Sequence, residues 1–324
     1  MTKTKNISLK VLVNYIKSAK NILIATHESP DGDGLGSIIA LGDALKQLGK
    51  KVTLYNIDGV PKMYHFLPGH KEITNKLNPK TKFDLSIIVD LGEIERCGTV
   101  FVNHPHRNTT ISIDHHAKGA KTTDYCFCLP QQASSGEVVY KILKTLKTKF
   151  NNKIATGIYT AIVTDTGSFK YSNTNKETFA IAADLLNFGV NVWEVALNCF
   201  ETYSLARMQL LQHVLKTLEI HKNKKVAWVV LTKKDYAKAK ALPEDSEGLI
   251  NFPRSIEGVE VAMLVKEQKP SQYKISMRSK QYVDVAAVAK KYGGGGHIRA
   301  SGCSVKGSLA QVKKQILAEI LKRL

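Results

Sequence analysis

The chain has 324 residues, of which 43% are hydrophobic and 23% are charged, and its formal net charge is +19. This composition is typical of a globular protein with a substantial core, and it excludes an intrinsically disordered chain. No apolar run reaches the roughly 18 residues that a membrane-spanning helix needs. Because the N-terminal segment also lacks the continuous apolar core of a signal peptide, we expect a cytoplasmic protein.

The first half of the chain alternates apolar runs with helical patterns, which predicts a mostly parallel sheet flanked by helices in an α/β domain. The runs NILIAT and DLSIIVD are rich in Ile and Val, as expected for strands that are covered on both faces. An amphipathic helix that ends at Gly49 lies between the first two strands. The predicted strands span residues 21–26, 51–56, 84–90 and 109–114, and further helices are predicted over 134–150, 151–164, 176–187 and 203–220.

Near residue 205 the pattern changes to a smaller α/β domain with a mixed sheet of its own. Strands are predicted over 224–232, 258–268 and 273–279, and helices over 284–291 and 308–323. We therefore expect an N-terminal domain at 1–190, a linker at 191–204 and a C-terminal domain at 205–324. From Ser204 onward 23 Lys and Arg stand against 10 Asp and Glu. This excess favours an anionic partner such as nucleic acid or nucleotide phosphates, with a merely lysine-rich surface as the alternative.

Ionisable side chains follow the ends of several predicted elements, and the carboxyl ends of parallel strands share one edge of a sheet. A single Asp at such a place is usually a helix cap or a turn residue. Several carboxylates at one edge, however, repel each other unless cations compensate them. Oxygen and imidazole ligands without thiolate favour Mn²⁺ or Mg²⁺, and their number favours two ions. The residues concerned are His27, Asp31, Asp33, Asp90, Asp114, His115, His116 and Asp165.

Two stretches are rich in glycine. In DGDGLG, residues 31–36, the glycines are interpreted as a sharp turn that lets the next helix N-terminus face an anionic substrate. In KKYGGGGHIRASG the glycines are either a flexible turn or a place where backbone N–H groups approach a phosphate. The candidate substrate-binding residues here are Gly293, Gly294, Gly295, Gly296, His297 and Arg299, with Arg278 and Arg254 on nearby segments.

The ordered combination of HESPDGDGLGS, IIVDLGE, DHH at 114–116 and TDTGSF at 164–169 resembles the four motifs of the DHH phosphoesterase family. The distal GGGGHIRASG resembles the glycine-rich signature of the DHH-associated domain. The resemblance covers nearly the whole chain, and the length and layout are closest to the bacterial nanoRNases that also act on 3′-phosphoadenosine-5′-phosphate. After Asp90, family members often carry a small residue and an Asp. Here Glu93 keeps the negative charge of that Asp on a longer side chain, so we expect the chain to be catalytically active. The role of Arg96 stays open.

The resemblance implies a two-ion centre with a shared carboxylate. His116 would face the scissile phosphate, and Asp114 would orient a histidine through its second ring nitrogen. Together with Asp90 these two residues are the implied catalytic residues. The implied ligands are His27 and Asp31 at one Mn²⁺, Asp33, His115 and Asp165 at the other, and Asp90 at both.

The implied activity is Mn²⁺-dependent hydrolysis of very short oligoribonucleotides to mononucleotides, with removal of phosphate from 3′-phosphoadenosine-5′-phosphate. A hydroxide would attack phosphorus in line, while the C-terminal domain grips the nucleotide end of the substrate across a cleft. A phosphodiesterase for pApA or cyclic di-AMP would carry the same fold and metals. The alternative from another class is a nucleotide-binding regulator, which the intact ligand set disfavours. Short RNA and nucleotides are the expected partners; the oligomeric state stays open, with a homodimer among the alternatives.

Overall fold

A computed structural model describes residues 4–116 and 122–324. The chain divides into two units, Met1–Thr202 and Tyr203–Leu324. Each unit has its own sheet and its own hydrophobic core, so the predicted fold class is confirmed. Among the described residues, none of the helices combines the length and the apolar character that a membrane span requires.

The sheet of the first unit has seven strands in the order β1-β7-β6-β5-β2-β3-β4, and all of its neighbouring strands are parallel. The strands are β1 (Lys5–Asn6), β2 (Asn21–Ala25), β3 (Lys51–Tyr55), β4 (Ile73–Thr74), β5 (Leu85–Val89), β6 (Thr109–Asp114) and β7 (Tyr125–Cys128). The helices are α1 (Leu9–Ser18), α2 (Gly32–Gln47), α3 (Thr99–Val102), α4 (Ser135–Leu146), α5 (Asn152–Asp165), α6 (Lys176–Leu186) and α7 (Val192–Ala196). Short 3₁₀ turns lie at Lys62–Tyr64, His70–Glu72 and Ile94–Cys97, and a π-helical turn lies at Leu197–Glu201.

The strand order reverses direction beside β2. From β2 the chain moves outward through β3 and β4, and it then returns to place β5 on the other side of β2. The strands β2 and β5 are buried over most of their length, in agreement with their continuous apolar runs. A parallel sheet binds its ligands beyond the carboxyl ends of the strands at such a reversal, so the fold points to the segments that follow β2 and β5.

The glycines of residues 31–36 all lie in the first turns of α2 and do not form the sharp turn that the sequence predicts. Helix α2 begins at Gly32 with Asp31 as its N-cap, and Gly34 and Gly36 lie in its first turns without a left-handed backbone. A Cβ atom on Gly36 would lie 2.1 Å from the carbonyl oxygen of Gly157 in α5. The prediction of a turn is therefore wrong, because these glycines serve close packing between α2 and its neighbours.

The sheet of the second unit has the order β12-β13-β11-β10-β9-β8. Strands β9 and β10 are parallel and the other neighbouring pairs are antiparallel, so the predicted mixed sheet is confirmed. The strands are β8 (Glu219–Ile220), β9 (Val226–Leu231), β10 (Val261–Lys269), β11 (Gln272–Ser279), β12 (Gly295–His297) and β13 (Ala300–Lys306). The helices are α8 (Leu205–Leu215), α9 (Lys233–Ala239), α10 (Asn251–Ser255), α11 (Val285–Lys290) and α12 (Leu309–Leu321), with a 3₁₀ turn at Pro243–Ser246.

Candidate metal centre

Histidine and aspartate side chains meet at the carboxyl edge of the central strands of the first unit. His27 follows β2, Asp90 follows β5, and Asp165 is the last residue of α5. Their donor atoms form two groups in which all atoms lie within 4.8 Å of one another. Group A consists of His27, Asp31 and Asp90, and group B consists of Asp33, His115 and Asp165.

In group A the imidazole of His27 faces two carboxylates through the same nitrogen. Nε2 lies 3.7 Å from Oδ1 of Asp31 and 3.6 Å from Oδ2 of Asp90. The other nitrogen, Nδ1, lies 2.7 Å from the carbonyl oxygen of Glu28. A carbonyl only accepts, so Nδ1 carries a hydrogen and Nε2 is the nitrogen that faces the carboxylates. Nη2 of Arg96 lies 3.3 Å from Nδ1 of His27, but it cannot donate a hydrogen bond to a nitrogen that is itself a donor.

In group B the imidazole of His115 is arranged in the same way. Its Nε2 lies 3.7 Å from Oδ2 of Asp33 and 3.4 Å from Oδ2 of Asp165. Its Nδ1 lies 3.2 Å from the carbonyl oxygen of Gln132, which again fixes the hydrogen on Nδ1. Both histidines thus present Nε2 to carboxylate oxygens, with the opposite nitrogen held by the main chain, as in protein metal sites.

Asp90 connects the two groups. Its Oδ2 faces Nε2 of His27, whereas its Oδ1 lies 3.7 Å from Nε2 of His115. The backbone of Asp90 has a φ of 61°, in the left-handed region that residues other than glycine rarely adopt. Such strain concentrates at functional sites, where the surrounding structure imposes it.

The pair Asp114 and His116 lies beside the two groups. Oδ1 of Asp114 accepts hydrogen bonds from the backbone N–H groups of His115 and His116 and lies 2.7 Å from Nδ1 of His116. Burial opposes a charge on His116, but the carboxylate of Asp114 outweighs it and raises the pKa of His116 to about 9. The side chain of His116 is 37% exposed, so its ring is the accessible imidazole of the cluster.

The cluster concentrates negative charge in a buried place. Burial, together with the charges of Asp90 and Asp165, raises the pKa of Asp33 well above its usual value. Burial also raises the pKa of Asp165 to about 6, against the lowering effect of His115. Burial lowers the pKa of His27, but hydrogen bonds to Asp31 and Asp90 outweigh it and raise that pKa to about 10. Each of these aspartates and Asp31 also faces a histidine nitrogen at 3.4–3.7 Å.

The donor set fits divalent metal ions. Atoms that bind one ion at about 2.1 Å lie no more than about 4.2 Å apart, and the nitrogen-to-oxygen distances of 3.4–3.7 Å in both groups meet this condition. Four carboxylates and two imidazoles suit a hard or borderline ion. A divalent cation would also compensate the charge of the buried carboxylates.

Three residues that contact the cluster are absent from the sequence prediction. The hydroxyl of Ser135 donates to Asp90, and the carbonyl of Gln132 holds His115. The side-chain amide of Asn173 donates to the carbonyl oxygens of Ala133 and Asp165 at 2.9 and 3.1 Å. Only Ser135 had a signal in the sequence, because serines at the start of a predicted helix mark its N-terminus.

The candidate substrate-binding residues of the second unit lie on and around β11–β13. The glycine run enters a hairpin: Gly295, Gly296 and His297 form β12, and Ile298 and Arg299 connect it to β13. His297 pairs with Ala300, which in turn pairs with Arg278 of β11. Residues in one such row share a face of the sheet, so Arg278 and His297 lie on the same face with a small residue between them.

Three other candidates differ in their surroundings. Arg254 is half-buried in α10, which packs against β10. The guanidinium of Arg299 donates to the carbonyl oxygens of Lys280 and Gln281 at 3.3 and 2.7 Å, so it holds the loop that follows β11. Gly293 has a φ of 72° and ends the turn after α11.

Two family models match this chain, and relatives match it over nearly its full length. Residues 21–162 match the model described as "DHH family, N-terminal domain", and residues 223–324 match the DHHA1 domain. A protein of Thermus thermophilus named bifunctional oligoribonuclease and PAP phosphatase NrnA is 29% identical over 98% of this chain and 94% of its own length. A probable NrnA of Streptococcus mutans is 29% identical over 92% of this chain and 93% of its own. An exopolyphosphatase-related protein from Bacteroides fragilis superposes with a TM-score of 0.85 and 27% identity, covering 97% of this chain and 95% of its own.

Proposed function

We propose that this chain, which belongs to the DHH family of phosphoesterases, hydrolyses very short oligoribonucleotides to mononucleotides and also removes phosphate from 3′-phosphoadenosine-5′-phosphate. The names of relatives that match over nearly the full length support both substrates. The observation that carries the proposal is the pair of ligand groups joined by Asp90, since two ions held by a shared carboxylate suit in-line displacement at phosphorus.

In this proposal His27 and Asp31 hold one divalent ion, and Asp33, His115 and Asp165 hold the other. Asp90 would serve both ions, in keeping with the different histidines that its two oxygens face. When bound, the two ions withdraw electron density from the phosphoryl oxygens and lower the pKa of a water molecule. The oxygen and imidazole donors favour Mn²⁺, with Mg²⁺ as the alternative.

The remaining roles fall to groups that can reach the substrate. His116 is the accessible imidazole, and its bond to Asp114 fixes Nδ1 as a donor, so Nε2 is the atom that would face the scissile phosphate. The second unit would bind the substrate through Arg278, His297 and backbone N–H groups of residues 293–296. A planar guanidinium suits a terminal phosphate because it donates two parallel hydrogen bonds. Arg254 and Arg299 are weaker candidates, the latter because its donors already hold the main chain.

A substrate panel tests the proposal. Labelled RNAs of increasing length, 3′-phosphoadenosine-5′-phosphate, pApA and cyclic di-AMP are incubated with Mn²⁺, with and without a chelator. We expect the fastest turnover on the shortest RNAs, measurable phosphate release from the phosphoadenosine substrate, and loss of both with chelator. Faster turnover of pApA or cyclic di-AMP than of other short RNAs would assign the chain to dinucleotide signalling instead. Tight nucleotide binding without hydrolysis would favour a regulator.

A matched pair of variants tests the shared carboxylate. We expect Asp90→Ala to lower activity by about 100-fold or more, because even residues that only orient a ligand cost 10–100-fold. Asp84→Asn is the control, since Asp84 precedes the same strand at its opposite end and accepts backbone hydrogen bonds there. Equal turnover by Asp90→Ala and the wild type would contradict the proposed mechanism.

A further inference from the structure

The N-terminus of α4 contacts the carboxylate of Asp33 with two backbone donors. The N–H of Ser135 donates to Oδ2 at 2.8 Å, and the N–H of Gly136 donates to Oδ1 at 2.9 Å. These bonds join segments that are about a hundred residues apart in the chain. The positive end of a helix stabilises a carboxylate, so α4 holds Asp33 independently of any ion.

The same serine also reaches the other side of the centre. Its hydroxyl donates to Oδ1 of Asp90 at 3.1 Å. Ser135 is fully buried, as is nearly all of Asp33 and Asp90, so no bulk water competes for these bonds. One residue thus contacts a ligand of group B through its main chain and the carboxylate shared by both groups through its side chain.

The hydrogen bonds also determine which oxygen of Asp33 remains available to a metal ion. Oδ1 accepts from the N–H of Gly136 and from the hydroxyl of Ser37 at 3.2 Å, which occupies both of its acceptor positions. Among the described residues, Oδ2 accepts from the N–H of Ser135 alone, and it faces His115 at 3.7 Å. One acceptor position on Oδ2 is therefore left for an ion.

The donor helix is held close to the centre by tight packing. A Cβ atom on Gly136 would lie 2.5 Å from Cβ of Ala161 in α5, so α4 and α5 are in direct contact at this point. In the first turn of α4, Glu137 accepts a hydrogen bond from the N–H of Ala133 at 2.9 Å, and Ser134 caps the helix. These contacts keep Ser135 from moving away from the carboxylates.

We propose that Ser135 is a positioning residue that holds Asp90 between the two ligand groups and so prepares the centre for metal before any ion binds. The inference rests on the proposed function, since it requires a metal centre at these residues. Its side chain acts through Asp90 alone, because the bond to Asp33 comes from the main chain. Replacing the side chain therefore removes the hydroxyl contact and leaves the backbone contact in place.

The test compares Ser135→Ala with Ser86→Ala in the full-length protein. Ser86 is also fully buried, and its hydroxyl donates to a main-chain carbonyl at the opposite end of β5. Mn²⁺ binding is measured by EPR of unbound ion and by calorimetry, alongside thermal unfolding of the metal-free protein. We expect Ser135→Ala to bind Mn²⁺ about 10–100-fold more weakly, as for other residues that orient a metal ligand. Ser86→Ala should bind Mn²⁺ like the wild type.

Two further readouts separate positioning from a general structural role. Excess Mn²⁺ should restore most of the activity of Ser135→Ala, which a folding defect would not permit. Ser135→Cys, with a weaker donor of similar shape, should bind Mn²⁺ with intermediate affinity, and it replaces the alanine variant if that variant does not fold. Wild-type Mn²⁺ affinity in a folded Ser135 variant would overturn the inference while leaving the metal centre intact. A wild-type protein that binds no Mn²⁺ would overturn the proposed centre and, with it, the role of Ser135.

Discussion

The two glycine-rich stretches of the chain look alike in sequence but differ in how completely their glycines are packed against protein. In residues 31–36 the glycines face protein, since a Cβ on Gly36 would meet the main chain of α5, and the candidate functional atoms belong to aspartate side chains. In residues 293–296 the glycines are divided: a Cβ on Gly294 or Gly296 would meet the main chain of β13, whereas a Cβ on Gly293 or Gly295 would meet nothing within 4 Å. A glycine leaves room beside the backbone because it has no side chain. Only the surroundings show whether another part of the protein fills that room or, as we propose for Gly295, a ligand does.

The largest effect is expected for Gly36→Ala. The added Cβ would lie 2.1 Å from the carbonyl oxygen of Gly157, and two packed helices cannot separate there without losing contacts along their length. We expect the free energy of unfolding to fall by about 3 kcal/mol, measured by denaturant and thermal unfolding of the first unit's transition. Unchanged stability would show that α2 and α5 do not pack through these glycines.

A smaller loss of stability, confined to the second unit, is expected for Gly294→Ala. Its Cβ would lie 2.1 Å from the carbonyl oxygen of Gly302 and 2.6 Å from Cβ of Cys303. The hairpin at these residues lies at the edge of its sheet, so it can shift more readily than two central helices, and we expect about 2 kcal/mol. Hydrogen exchange should locate the change in β12 and β13; protection that is unaltered there would contradict this account.

Much of the fold could be predicted, because long apolar runs specify strands. The strand predicted over 109–114 coincides with β6, and three other predicted strands agree with β2, β3 and β5 to within one residue at each end. The short strands β1, β4 and β7 were missed, since two to four residues carry no periodicity. Because the carboxyl ends of parallel strands share one edge of a sheet, the histidines and aspartates of the centre could be expected at that edge. The sequence marks Ser135 only as the start of a helix, because its partners Asp33 and Asp90 lie 102 and 45 residues away in the chain. Asn173 belongs to no motif, and its bonds depend on how the chain folds around Ala133 and Asp165.

A substitution of Asp31 distinguishes the structural role of residues 31–36 from their proposed role in metal binding. Its Oδ1 accepts the N–H of Gly34 at 3.0 Å as the cap of α2, and the same oxygen faces His27 at 3.7 Å. Asparagine caps helices as well as aspartate but carries no charge. We expect Asp31→Asn to keep the unfolding temperature within about 2 °C and to weaken Mn²⁺ binding and turnover by about 10–100-fold. Wild-type turnover at low Mn²⁺ would remove Asp31 from the ligand set.

The smallest effect on stability, and the sharpest test of the second stretch, is expected for Gly295→Ala. Gly295 has open space around its missing Cβ and no left-handed backbone, so alanine fits without strain. If backbone N–H groups of this run approach a substrate phosphate, a methyl group there obstructs the phosphate and not the protein. We expect unchanged unfolding and an unchanged kcat, with KM for short RNA raised several-fold. Because Gly294→Ala perturbs the same hairpin through its packing, it serves as the comparison: a KM that rises only when stability falls would mean that the glycines shape the hairpin and do not contact the substrate.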